Sequence, residues 1–159
     1  METGLLQFYV GDGKGKTTAA IGQIVRAHGA GLKCAMYQFL QADPAGETEA
    51  LAALGVPVER AEGAFARPVE EMSPSERGAF FMAQRALYTK AVRAIRSESY
   101  DVVALDGILD LLQLGALDLD ALAQEVEKLS EVSLCDVVAE GDRAVVGLSF
   151  DAQYQGTLT

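Results

Sequence analysis

The chain has 159 residues, 50% of them apolar and 23% charged, which fits one globular domain spanning 1–159 whose core needs neither disulfides nor a structural metal. Its 13 Lys and Arg against 23 Asp and Glu give a formal charge of −10. That balance argues against nucleic acid and anionic membranes as partners, because phosphate surfaces bind basic faces. Cys34 and Cys135 lie apart in apolar runs and form no C-x-x-C pair, so zinc and thioredoxin-type chemistry have no support. The first residues lack the pattern of a leader peptide, and no apolar run reaches the roughly 18 residues of a membrane span. A soluble, cytoplasmic protein is the expectation.

In chain order, Leu5–Val10 is an apolar run with aromatic and β-branched residues, bounded by Gly4 and Gly11, and reads as a buried strand. Thr17–His28 reads as a helix with Ile21, Ile24 and Val25 on its apolar face, stopped by Gly29 and Gly31. The lone histidine, His28, falls in the last turn, where the helix dipole favours it without any catalytic role. Lys33–Leu40 reads as a second buried strand, Glu47–Leu54 as a short helix, and Val56–Glu59 as a weak strand that Pro57 assigns to an edge. Ser73-Pro74-Ser75-Glu76 has the residues of a capping box with proline at the first helical position. The helix it opens is expected to bury Phe81, Tyr88, Val92 and Ile95.

Asp101–Leu105 reads as an apolar strand ending in Asp106. Asp118 or Asp120 caps a further expected helix carrying Leu119, Leu122, Val126 and Leu129. Finally Val132–Ala139 and Ala144–Phe150 are separated only by Glu140-Gly141-Asp142-Arg143, the spacing of an antiparallel hairpin. Alternating strands and helices predict an α/β fold, a mostly parallel sheet with helices on both faces and this hairpin at its C-terminal end.

The chemistry concentrates in Gly11-Asp12-Gly13-Lys14-Gly15-Lys16-Thr17-Thr18, between a predicted strand and a predicted helix. Small residues there let backbone N–H groups wrap a phosphate, and the following helix turns its positive end toward it. Lys16 is the long cation placed to reach terminal phosphates, and the Thr17 hydroxyl is placed to ligate Mg²⁺. The strict G-x-x-x-x-G-K-[ST] pattern would need glycine at residue 10, which is Val10. A glycine-rich turn with two solvated lysines is the plain alternative; the alternating glycines and the flanking elements favour the phosphate loop. Asp106, at a strand end, is the natural Walker-B carboxylate and second Mg²⁺ ligand.

These residues resemble the P-loop ATP:corrinoid adenosyltransferases. The loop of that family is similar to Gly11–Ala20, and it too lacks the first glycine. The likeness continues through Arg26-Ala27, Gly31-Leu32-Lys33, Gln38-Phe39 and Gly46-Glu47 to Tyr100–Asp106 and the Leu114-Gly115, Leu117-Asp118, Ala121-Leu122 string. The resemblance implies a P-loop NTPase-like domain, a homodimer, and Mg²⁺, ATP and a corrinoid as ligands. It implies that Co(I) attacks the 5′ carbon of ATP and displaces triphosphate, with Lys16 as the catalytic cation and no need for a catalytic His or Ser. Phe65, in Ala64-Phe65-Ala66-Arg67, is the match to the family's aromatic corrinoid-side motif.

Where the family carries Asp-Glu this chain has Asp106-Gly107, and the family's T-G-R and K-H-P segments have no counterpart beyond Leu129. Two other readings therefore stand beside the enzyme: an ATP- or corrinoid-binding member without turnover, and an unrelated P-loop ATPase or kinase. Gly107 itself has two accounts. Either it leaves the metal site one acid short, with Glu47 and Asp110 as the next acids to consider, or the backbone requires glycine there.

Overall fold

The computed structural model describes residues 5–9, 13–41, 45–61, 68–118, 136–140 and 143–149. The chain divides into two compact units, Met1–Ala19 with Ala123–Thr159, and Ala20–Leu122. Phe65, Gly11, Asp12, Cys135 and the expected helix after Asp118 lie outside the described residues.

In the first unit, β1 (Leu5–Tyr9) pairs antiparallel with β6 (Arg143–Ser149), which pairs antiparallel with β5 (Asp136–Glu140). The C-terminal hairpin is therefore present. β1 is less buried than its composition predicts: Gln7 is exposed and Phe8 and Tyr9 are half-buried. A strand in an antiparallel sheet can leave one face open, whereas a strand of a parallel sheet is covered on both.

The second unit holds an open parallel sheet in the order β3-β2-β4, formed by Val58–Arg60, Cys34–Gln38 and Val102–Asp106. β3 is an edge strand, as Pro57 predicts. Every residue of the central strand β2 is buried, and alternation sends its side chains into two cores. Cys34 and Met36 meet Ile24 of α1 (Lys16–Gly29), Leu51 of α2 (Gly46–Ala53) and Val56. Ala35, Tyr37 and Phe39 meet Leu87 and Ala91 of α3 (Pro74–Arg96) and Ile108 and Leu111 of α4 (Ile108–Gln113). Helices cover both faces, the arrangement of a P-loop NTPase-like α/β fold.

Asp101 sets the start of this sheet. Its carboxylate accepts the Lys33 N–H at 2.8 Å, while its own N–H donates to the Lys33 carbonyl at 2.8 Å. α3 opens on the expected capping box: Ser73 Oγ accepts the Glu76 N–H, and the Glu76 carboxylate accepts the Ser73 N–H at 2.8 Å.

The buried faces of two helices differ from expectation by a step of rotation. On α1, Ile24 is buried and Ile21 and Ala27 flank it, but Val25 is 43% exposed. On α3 the buried residues are Phe80, Gln84, Leu87 and Ala91, with Phe81 and Tyr88 only half-buried. A count of large apolar side chains misses that face because a polar residue, Gln84, and a small one, Ala91, occupy its centre.

Candidate functional site

The loop residues within the described chain, Gly13, Lys14 and Gly15, lead straight into α1, so Lys16, Thr17 and Thr18 form its first turn. Gly15 has φ +108, a left-handed conformation that glycine adopts without strain. Its carbonyl accepts the Ala19 N–H at 2.8 Å, and Lys16 Nζ donates to the Gly13 carbonyl at 3.0 Å, folding the ammonium back over the loop. The sequence thus places two lysines and a run of early helical N–H groups at one turn.

A second set of polar residues gathers in the other unit, at the carboxyl ends of the parallel strands, where open α/β sheets bind ligands. The strand register generates it. Gln38 is paired with Arg60 on one side and with Asp106 on the other. Two residues earlier in each strand, Met36, Val58 and Ala104 lie in the core beneath α1 and α2. By alternation, Gln38, Arg60 and Asp106 project to that same face.

Gln38 is fully buried and completely engaged. Its Oε1 accepts from Arg60 Nε at 2.9 Å and from a terminal guanidinium nitrogen, which also donates to Thr48 Oγ1 on α2. Its Nε2 donates to Glu47 Oε1 at 3.3 Å and to Asp106 Oδ2 at 3.4 Å. Gln41 Nε2 adds a bond to Asp106 Oδ2 at 3.2 Å. Of the acids that could complete a cation site, Glu47 is joined to Asp106 through this amide, whereas Asp110 lies exposed in the first turn of α4.

Gly107, next to Asp106, decides between its two accounts. It has φ +79, and a Cβ there would sit 2.8 Å from the Phe39 carbonyl oxygen. Phe39 N–H in turn donates to the Asp106 carbonyl at 2.8 Å, so the ends of β2 and β4 are in close backbone contact. The backbone requires glycine.

Sequence reasoning missed Arg60, Gln41 and Gln84. Gln84 is 1% exposed, and its Oε1 accepts the N–H of Leu40 at 3.3 Å. Leu40 has φ +61, uncommon for a non-glycine residue, so Gln84 pins a strained corner between Phe39 and Gln41. Gln84→Leu removes the acceptor and is expected to cost about 1–3 kcal/mol in urea unfolding, the range for a buried group left unpaired. A wild-type unfolding midpoint would show that the corner holds without it.

Two groups on β2 are shifted in proton affinity. Burial pushes the Cys34 thiol up from the ordinary 9.0, with the Asp101 carboxylate adding to it. Burial, then Tyr100 and Glu59, push the Tyr37 phenol up from 10.0. The folded state holds both protons more tightly than the unfolded chain. Their stabilisation is therefore complete below the ordinary values and is lost as pH rises through the folded ones. The urea midpoint should hold steady to pH 8 and decline in the alkaline range above 9.0, starting later in Cys34→Ala; an unchanged decline in that variant would clear the thiol.

Comparison with known proteins places the chain. The family model described as ATP:corrinoid adenosyltransferase BtuR/CobO/CobP matches residues 2–154. The chain belongs to the ATP:corrinoid adenosyltransferase family. It is 33% identical over 131 residues to the corrinoid adenosyltransferase of Escherichia coli strain K12, covering 82% of this chain and 63% of that protein. The corrinoid adenosyltransferase of Escherichia coli O6:H1 strain CFT073 gives the same figures, 33% over 131 residues, 82% and 63%. The chain thus spans less than two thirds of the length of these relatives. Among the described residues no helix is long and apolar enough to cross a membrane.

Proposed function

We propose that the chain transfers the 5′-deoxyadenosyl group of ATP to the Co(I) centre of a corrinoid. Co(I) supplies both electrons of the new Co–C bond, the C5′–O bond breaks, and its electron pair leaves on triphosphate. The observation that carries this reading is the loop of a family member running directly into α1, with Lys16 in the first turn. On this reading the backbone N–H groups from Gly13 to Thr18 and the ammonium groups of Lys14 and Lys16 meet charge as it grows on the leaving triphosphate. The nucleophile belongs to the substrate, so the protein supplies position and electrostatics rather than a side-chain base.

Mg²⁺ fits the donors present. It takes one or two carboxylates and fills its remaining positions with water and substrate phosphate. Asp106 and the Thr17 hydroxyl are each hard oxygen donors of the right kind for Mg²⁺, and the ion would supply charge neutralisation to the phosphates. The protein acts as a single nucleotide-binding domain and as a homodimer in the cytoplasm, and Phe65 contributes to the corrinoid side.

Gly107 in place of an acid favours a second reading, binding without turnover. Mixing the full chain with ATP and cob(I)alamin under strict reduction separates the two. The spectrum should convert to that of the adenosylated corrinoid; ATP binding with no conversion would favour the second reading.

A further inference from the structure

Arg60 closes a polar row that no hydrophobic pattern would reveal. It ends the edge strand β3, in register with Gln38, and its guanidinium gives two N–H groups to one amide oxygen and one to Thr48. Guanidinium is donor-only, and a carboxylate is acceptor-only. The amide of Gln38 therefore has one allowed orientation: its oxygen faces Arg60, and its NH₂ faces Glu47 and Asp106. Gln38 is fully buried, so no water competes for either end.

We propose that Arg60 is a positioning residue that, by fixing the Gln38 amide, sets the orientation of the Asp106 and Glu47 carboxylates for Mg²⁺. This rests on the assignment of Asp106 to Mg²⁺ made above. Arg60 acts through the amide and touches neither carboxylate in the described contacts. Two features of the guanidinium matter, its charge and its fork. Lysine preserves the charge but concentrates its donors at one point, so it cannot bridge Gln38 and Thr48 in the same way. Partners that orient metal ligands typically cost about 10–100-fold in metal affinity when lost. Arg60→Lys and Arg60→Ala should therefore both weaken the apparent affinity for Mg²⁺ at saturating ATP by about tenfold or more. An effect of charge alone would spare the lysine variant.

The test uses the full-length chain and two readouts. Without nucleotide or metal, the Gln38 side-chain NH₂ should give a ¹⁵N-resolved pair of proton signals, widely split and slow to exchange. The pair should collapse in Arg60→Lys while the urea midpoint shows that variant folded. Thr48→Val, which removes one anchor of the guanidinium, should show the same change in smaller degree and serves if the Arg60 variants do not fold. Mg²⁺ titration with ATP then reads the coupling. A wild-type chain that depends on Mg²⁺, with Arg60→Lys unchanged in either readout, overturns the inference alone. A wild-type chain that binds ATP without regard to Mg²⁺ contradicts the functional reading and the inference with it.

Discussion

Gly107→Glu is expected to destabilise the protein severely instead of supplying a metal ligand. A side chain at φ +79 costs about 1–2 kcal/mol of backbone strain. The added Cβ also meets the Phe39 carbonyl oxygen at 2.8 Å, a backbone atom that cannot swing aside. Overpacking of that kind costs about 1–3 kcal/mol, so the loss should total about 2–5 kcal/mol. Gly107→Ala carries the same Cβ without the carboxylate and should lose nearly as much in urea unfolding. That control separates backbone cost from charge. Wild-type stability in Gly107→Glu, together with tighter binding of Mg²⁺·ATP, would restore the account in which the site merely lacks an acid.

Lys16→Ala should lower ATP affinity on the order of a hundredfold. The ammonium is the long cation of the loop, and charge-assisted hydrogen bonds to phosphate contribute about 1.5–3 kcal/mol each. A loss of about 3 kcal/mol corresponds to roughly a hundredfold in affinity. The stability control is the unfolding midpoint, which should show the variant folded so that the loss is read as binding. Titration calorimetry reads the affinity and urea unfolding the midpoint. ATP affinity like that of the wild type in Lys16→Ala would remove the loop from the nucleotide site.

What the sequence made legible follows from how each signal is encoded. The capping box of α3 and the apolar strands β2 and β4 are local patterns, and each appears where the sequence places it; the glycine turn ahead of α1 is equally local, and its role toward phosphate belongs to the proposed function. Gly107 was undecided because sequence alone does not report φ; its conformation becomes visible only with Phe39 beside it. α4 escaped notice because its six residues are too short to show a helical period. Arg60 and Gln84 were hidden for a different reason. Their importance depends on register and burial: Arg60 lies opposite Gln38 only once β3 is paired with β2, and Gln84 is a core residue only once α3 is turned. Hydrophobic periodicity counts both as surface. Such buried, fully bonded polar residues are where a pattern-based reading of a functional site is expected to fall short.

On the proposed function, the loop binds triphosphate as a leaving group and does not cleave it. The most direct test is ³¹P NMR of the phosphorus products when the full-length chain, Mg²⁺, ATP and reduced corrinoid react to completion. Adenosyl transfer predicts intact inorganic triphosphate, in amount equal to the adenosylated corrinoid formed, and no products when the corrinoid is withheld. ADP and orthophosphate, formed with or without the corrinoid, would contradict it and identify a phosphoryl-transferring P-loop protein instead.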